Sequence, residues 1–462
     1  MSEIKLSSNA YKLENEANPI SPNVFCADPT GVIYEGRLYI YGTNDHQQYN
    51  AVGDEGKNTY EQIKSLVCFS TEDMVNWEYH GIINTEEVAP WIKNSWAPSI
   101  VSRAEVDGLT HFYLYFSNNG NGVGVISSTH PLGPWNDPLG KPLVYQNMPG
   151  LENCPAPFDP GVCIDENGTG WLTFGGGTPA RGDEIYTGIP KIVRLGDDLL
   201  SFDSDFVPIN APYFFEASEL NYVDGTYIYS YSTDWQKRDN WDRTDIPAPN
   251  ICSMGCMMSK APLDAESWKF GGGFFLNAGD NGMEWCNNHT HFMEYKGTKY
   301  IFHHTMHSQE RMKTKGGFRC MCVDYLPYTS DEIPVTKPTR EGVNQVGYLN
   351  PYVKHSAAEM FTCADIEYEQ NGQGKVSVKS TTKGSWIFIK GVDFGNGADK
   401  LILDASGTRR LEIRLDAREN APAVSINLDS GVTTAIEKIT GKHDVYIVFE
   451  NENTVLKEWY VK

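Results

Sequence analysis

Three carboxylates, an indole and an imidazole recur at equivalent places along this chain. Asp28, Trp96, Asp159, Glu216 and His289 each lie about ten residues upstream of a glycine (Gly36, Gly108, Gly170, Gly225 and Gly297) that opens a strand. Carboxylates in that number suit glycosidic bond cleavage. One protonates the departing oxygen, and, for inversion, a second activates water on the opposite face of the sugar. A third raises the pKa of the acid by like-charge repulsion, and an indole gives a sugar an apolar wall. Singly, most of these residues have a structural explanation. Asp28 in Ala-Asp-Pro and Asp159 in Phe-Asp-Pro-Gly can cap turns, and Trp96 can belong to a core. Glu216, between Phe215 and Ala217, has the weakest such explanation, because an unpaired charge in an apolar strand is costly. Their equal placement is what marks a site.

The elements that must carry them form an internal repeat. The glycines precede Arg37-Leu-Tyr-Ile-Tyr, Leu109-Thr-His-Phe-Tyr, Trp171-Leu-Thr-Phe, Thr226-Tyr-Ile-Tyr and Thr298-Lys-Tyr-Ile-Phe, with spacings of 72, 62, 55 and 72 residues. An apolar segment precedes each glycine, which places it at a hairpin turn. Third strands are expected over 65–70, 122–128, 190–195, 251–259 and 317–324, and fourth strands starting at Trp77, Trp135, Phe202 and Trp268. Helical periodicity is nearly absent, so the chain reads as all-β: a five-bladed β-propeller over residues 1–330, in preference to a large sandwich with fortuitous hairpins. The first strand of each propeller blade faces the central channel, so the five polar positions converge at one mouth. Residues 331–355 suit a linker or strap. Residues 356–462, with short strands such as Trp386-Ile-Phe-Ile and Val445-Tyr-Ile-Val-Phe, suit a small β-sandwich of the jelly-roll kind.

Composition narrows the partners. Across 462 residues, 38 Lys and Arg face 60 Asp and Glu, a net charge of −22. That surface repels phosphate backbones and anionic membranes and leaves neutral sugars compatible. No segment approaches the roughly 20 apolar residues of a membrane span. The Met-Ser-Glu-Ile-Lys start lacks the apolar core of a signal peptide, so a cytoplasmic monomer is expected, or a secreted one if an export signal has been replaced. The ten scattered cysteines form no paired framework and are expected to be reduced, buried thiols.

At these residues the chain resembles glycoside hydrolase family 43, over roughly residues 18–330. The carriers are Ala27-Asp28-Pro29, Ser95-Trp96-Ala97-Pro98, Phe158-Asp159-Pro160-Gly161, Phe215-Glu216-Ala217-Ser218, Asn287-Asn288-His289 and Gly317-Phe318-Arg319. The resemblance implies Asp28 as general base, Asp159 as pKa modulator and Glu216 as general acid. It also implies a sugar pocket lined by Trp96, Asn288, His289 and Arg319, with Arg311 near the last. Many members hold calcium in the channel through water and a histidine, which points to His289. The Phe-Glu-Ala-Ser form of the acid motif is most similar to the arabinoxylan arabinofuranohydrolase branch.

The C-terminal part resembles a family 6 carbohydrate-binding module through Trp386-Ile-Phe-Ile-Lys-Gly-Val-Asp-Phe-Gly, Leu411-Glu-Ile-Arg-Leu-Asp and His443-Asp-Val-Tyr-Ile-Val-Phe. By that likeness Glu359 and Glu458 would hold a structural calcium. Where the family places a second Trp, the chain reads Ser430-Gly-Val-Thr-Thr-Ala, so this sandwich is expected to brace the propeller and to have lost most or all sugar affinity. The implied function is an inverting, exo-acting α-L-arabinofuranosidase on arabinoxylan or its oligosaccharides. β-Xylosidase on the same scaffold and a non-catalytic sugar-binding propeller are the alternatives. Asp28, Asp159 and Glu216 together speak against the last, since a lectin has no use for a positioned acid and base.

Overall fold

The computed structural model describes residues 4–177, 184–371, 374–406, 409–428 and 432–462. Its first part is a succession of antiparallel sheets. The first comprises β1 (Ala27–Tyr34), β2 (Arg37–Thr43), β3 (Leu66–Thr71) and β4 (Trp77–Ile83), and the second β5 (Trp96–Ala104), β6 (Thr110–Ser117), β7 (Gly122–Ser128) and β8 (Val144–Tyr145). The third comprises β9 (Gly161–Ile164), β10 (Gly170–Phe174), β11 (Lys191–Arg194) and β12 (Val207–Pro208). The fourth comprises β13 (Phe214–Val223), β14 (Thr226–Thr233), β15 (Met254–Ser259) and β16 (Lys269–Phe275), and the last β17 (His291–Tyr295), β18 (Thr298–Thr305) and β19 (Cys320–Tyr325).

The hairpin chemistry explains the first turns. Glu35-Gly36, Asp224-Gly225 and Lys296-Gly297 all take positive φ at both residues, the two-residue turn whose twist matches the flanking strands. In the third sheet the turn glycine is Gly168 (φ +80), not Gly170. Gly170 instead opens β10, where a Cβ would meet Leu199 at 2.3 Å. The second strands are aromatic because neighbouring sheets cover both of their faces: β14, Thr-Tyr-Ile-Tyr-Ser-Tyr-Ser-Thr, is buried along its whole length. Trp77 and Trp268 stand at the fourth strands as expected, whereas Trp135 and Phe202 do not. There the pairing with the third strand shrinks to single bridges, Ser127 with Asn136 and Leu195 with Phe202. The fourth strands of these two sheets shrink to two residues each and start later, at Val144 and Val207.

First strands meet first strands: β1 packs on β5, β5 on β9, β9 on β13, and β17 on β1. Asn221 Nδ2 of β13 donates to the Phe292 carbonyl of β17 at 2.9 Å. This is a β-propeller arrangement, with the inner strands around a common axis. The 45–60 stretch contains a helix over Asp45–Val52, capped by the Asn44 side chain on Gln47 N.

The second part is a β-sandwich. One sheet runs in the order 366–370, 376–380, 455–461, 398–406, 432–439, and the other 362–364, 386–393, 442–449, 409–415, 424–428. The two parts share one core in which Met74 and Trp77 join Met360, Val378 and Leu403. The strand Glu359–Met360 extends the first sheet by pairing with β4. Residues 4–17, grouped with the propeller in the sequence reading, bridge the two parts: Ile4 and Ala17 join Phe361, Trp386 and Phe388 of the sandwich, while Tyr11 and Glu16 accept from Arg311. Trp386 is fully buried and its indole donates to the Ser7 carbonyl at 2.9 Å, so it packs and offers no face to a sugar. Ser430 and Gly431, at the replaced second Trp, lie outside the described residues. All ten cysteines are free and buried.

Candidate active site

Four of the inner strands begin with a kink that aims side chains into the channel mouth. Asp28 (φ 52), Ala97 (φ 33), Asp159 (φ 51) and Ala217 (φ 63) take left-handed backbone that side-chain-bearing residues avoid. Bulges follow between Ala27 and Thr30, Trp96 and Ser99, and Glu216 and Glu219. A bulge bends its strand and re-aims a side chain, which is what a site at the end of a sheet requires. The result is one cavity of about 580 Å³. Asp28, Asp159, Glu216, Trp96, Asn288, His289 and Arg319 all line it, together with Asn58, Tyr60 and Trp235.

Asp28 is the most tightly held group. Arg319 Nη1 donates to its Oδ1 at 2.9 Å and the Thr43 hydroxyl to its Oδ2 at 2.6 Å. Its backbone N–H donates to His304 Nδ1 at 3.2 Å, while His304 Nε2–H donates to the Asn287 carbonyl at 2.7 Å. Those two partners select the neutral tautomer of His304. Burial opposes ionisation of Asp28, but Arg319, then His304, His289 and Thr43, overcome it and hold the carboxyl down to about 2. Burial pushes both imidazoles down, His304 to about 3, so at neutral pH Arg319 carries the positive charge beside Asp28. Arg319 is itself fixed by Asp45, which accepts from Nε and Nη2 at 2.9 Å each, and by the Tyr60 ring, 5.0 Å from the guanidinium carbon. Arg311 is engaged elsewhere, by Glu16.

Glu216 lives in the opposite environment. It keeps partial exposure toward the cavity, and among the described residues its side chain has a long hydrogen bond from Asn287 Nδ2 at 3.4 Å and no ion pair. Burial first, and the charge of Asp28 after it, push its carboxyl up to about 7. Asp159 is buried between the two. Its Oδ2 accepts from the N–H of Ala217, next to Glu216, at 2.9 Å, and its Oδ1 from the Ser117 hydroxyl at 3.1 Å. Burial, Glu216 and Asp28 raise Asp159 as well, so Asp159 and Glu216 resist losing a second proton together. The site therefore favours the ionised form of Asp28 and the protonated form of Glu216 in a single cavity.

The remaining assignments separate. Trp96 donates its indole N–H to the Tyr60 carbonyl at 3.1 Å and leaves a face on the cavity, and Asn288 donates to the Cys252 carbonyl. His289 Nδ1 lies 3.8 Å from Asp28 Oδ1. Calcium prefers six to eight oxygens. At His289 the nearest carboxylate is already neutralised by Arg319, and no cluster of three His, Cys, Asp or Glu donors gathers there among the described residues, so the donor set does not fit direct coordination. Nor does it at the sandwich. Arg37 and His355 engage Glu359 at 2.9 and 2.7 Å, and Lys354 engages Glu458 at 3.2 Å, so cationic side chains supply the charge at both.

Sequence reasoning missed His304, Thr43, Asp45, Tyr60 and Ser117, which hold the site, and Trp235, which lines it. Trp235 and Trp285 are 43% and 42% exposed at the rim, with ring centroids 6.5 Å apart. The paired histidines of Tyr300-Ile-Phe-His-His-Thr, polar in an otherwise apolar strand, were the one signal available for His304.

Residues 16–334 match the model of the glycosyl hydrolases family 43, and residues 356–462 that of the carbohydrate binding module of family 6. The chain is 31% identical to an arabinoxylan arabinofuranohydrolase of Paenibacillus polymyxa over 468 residues, covering 95% of this chain and 72% of that one. It is 31% identical to an arabinoxylan arabinofuranohydrolase of Bacillus subtilis over 481 residues, covering 97% and 92%. The crystal structure of a Bacillus subtilis arabinoxylan arabinofuranohydrolase of that family, in complex with cellotetraose, superposes with a TM-score of 0.90 at 29% identity, covering 99% of each chain.

Proposed function

The chain belongs to glycosyl hydrolase family 43, and on that premise we propose that it is an inverting, exo-acting α-L-arabinofuranosidase that removes arabinofuranose side chains from arabinoxylan or its oligosaccharides. The observation that carries the proposal is the opposed tuning of two carboxyls in one cavity, Asp28 held down to about 2 and Glu216 pushed up to about 7. Two groups whose environments drive their pKa values apart are the usual acid–base assignment.

In the proposed reaction Asp28 takes a proton from a water as the water oxygen attacks the anomeric carbon. Glu216 gives its proton to the departing xylose oxygen. Asp159 fixes the backbone beside Glu216 through the Ala217 N–H and so positions the acid, while burial and the charge of Asp28 favour its protonated form. Arg319 prevents Asp28 from competing for that proton. Bound sugar would exclude more water and strengthen each of these effects. We read the sheets as five blades closing on a channel. Asp28 and Glu216 then come from blades one and four, which are not adjacent, and their separation is expected in the range of about 6.5–9.5 Å that leaves room for the water.

The assignment to arabinoxylan draws on the names of the Paenibacillus and Bacillus relatives, matched over both parts of the chain. The test is hydrolysis of nitrophenyl α-L-arabinofuranoside against nitrophenyl β-D-xyloside, followed by product analysis on wheat arabinoxylan. Free arabinose and an undegraded xylan backbone support the proposal. Faster release from the xyloside moves the assignment to β-xylosidase, and no release from either leaves a sugar-binding propeller.

A further inference from the structure

A cluster of donor atoms that the reaction does not use lies behind the cavity wall. His307 begins a short helix (His307–Met312) after β18, and Cys320 and Cys322 stand two apart on β19, where side chains share a face. One donor atom from each lies within 4.8 Å of the other two, and all three residues are buried. The Thr305 hydroxyl sits among them, 2.6 Å from His307 Nδ1 and 3.5 and 3.6 Å from the two sulfurs. His307 Nε2 and Ser308 Oγ are buried with no hydrogen-bond partner, a cost that a closed hydrogen-bond hub would not leave standing.

We propose that His307, Cys320 and Cys322 bind one thiophilic divalent ion of the zinc class, with the Thr305 or Ser308 hydroxyl or a water as fourth ligand. Two thiolates and an imidazole are the soft, nitrogen-and-sulfur set that selects zinc over calcium or magnesium. Metal–sulfur and metal–nitrogen bonds of about 2.3 and 2.0 Å put tetrahedral donors about 3.5–3.8 Å apart, so the cluster closes by at most about 1.3 Å. Each thiol proton leaves to solvent as its metal–sulfur bond forms, and the two thiolates cancel the charge of the ion, so the buried site carries no net charge. Met306 and Arg319, which each precede a ligand, both line the cavity, so the ion would stiffen the wall that carries Arg319.

The test grows the full-length chain in medium supplemented with Co2+, because the cluster has no open approach. Purified protein is expected to carry about one cobalt per chain. It should show thiolate-to-cobalt charge transfer in the near ultraviolet and tetrahedral d–d bands in the visible, both absent from protein grown with Zn2+ in place of Co2+. C320S and C322S are expected to abolish the charge-transfer band and C252S to leave it unchanged. H307Q, which keeps both thiols, is expected to weaken retention against a competing chelator by about tenfold or more. Folded wild-type protein with no charge-transfer band, a band that survives C320S and C322S, or one lost in C252S overturns the proposal and leaves a hydrogen-bond hub centred on Thr305. If the serine variants fail to fold, the wild-type spectrum and the retention of H307Q decide alone.

Discussion

Replacing Glu216 by Gln removes one transferable proton and almost nothing else. The amide is isosteric, and its oxygen can still accept from Asn287 Nδ2, which stands 3.4 Å from Glu216 Oε1. A positioned general acid contributes about 10²–10⁴ in rate, or about 3–5.5 kcal/mol of barrier at 1.36 kcal/mol per decade. A xylose hydroxyl leaves poorly as an alkoxide and needs the whole of that help, whereas a dinitrophenolate needs none. E216Q is therefore expected to lose about a thousandfold in kcat/KM on an arabinoxylo-oligosaccharide and less than about tenfold on dinitrophenyl arabinofuranoside. The pH profile gives a second readout. Glu216 must be protonated and its carboxyl is pushed up to about 7, so wild-type kcat/KM falls as pH rises through about 7. Two units higher, about one molecule in a hundred keeps the proton. Asp28 must be ionised and is held near 2, so the acidic limb lies below the range in which most assays run. On the aryl substrate, which needs no acid, this limb should be absent from wild type and E216Q alike, and in E216Q it should vanish from the residual activity on the oligosaccharide. Retention of more than a tenth of wild-type activity on the oligosaccharide, or an unchanged alkaline limb in the variant, refutes Glu216 as the acid.

Three further outcomes are expected. Asp28→Asn should cost about a thousandfold on the oligosaccharide and the aryl glycoside alike, because both need an activated water, and steady-state rates on the two substrates check this. Trp235→Ala should raise KM for arabinoxylan about three- to tenfold, the worth of one aromatic contact, while changing KM for the aryl glycoside less than twofold; Michaelis curves on both substrates separate the two effects. Trp386→Ala should destabilise the chain by about 3–5 kcal/mol, read by urea denaturation, and leave its retention on insoluble xylan unchanged.

The repeat was legible because its turns are chemically explicit: Glu35-Gly36, Asp224-Gly225 and Lys296-Gly297 need φ values that glycine tolerates. The three carboxylates were legible because charge in apolar strands is rare and theirs recurred at one depth. What holds them was not. Thr43, Ser117 and His304 sit at the ends of second strands, where a polar residue next to a loop is ordinary, and only folding brings them to Asp28 and Asp159. Asp45 lies in a helix whose composition, Asp-His-Gln-Gln-Tyr-Asn-Ala-Val, carries no apolar face to betray it. The docking of residues 4–17 on the sandwich was equally silent, since that segment adds no regular strand and its contacts, such as Trp386 with Ser7, cross most of the chain.

The stereochemistry of the first product tests the central claim most directly. Arabinoxylan or an arabinoxylo-oligosaccharide is mixed with wild-type enzyme, and the anomeric proton region is followed by NMR over the first minutes, before mutarotation. If Asp28 activates water and Glu216 protonates the leaving oxygen, the α-linked side chain appears first as β-L-arabinofuranose, and the xylan backbone signals do not change. Initial appearance of the α anomer would mean a covalent intermediate, with Asp28 or Asp159 attacking carbon, and would contradict the account. Release of xylose in place of arabinose would contradict the assignment of the substrate.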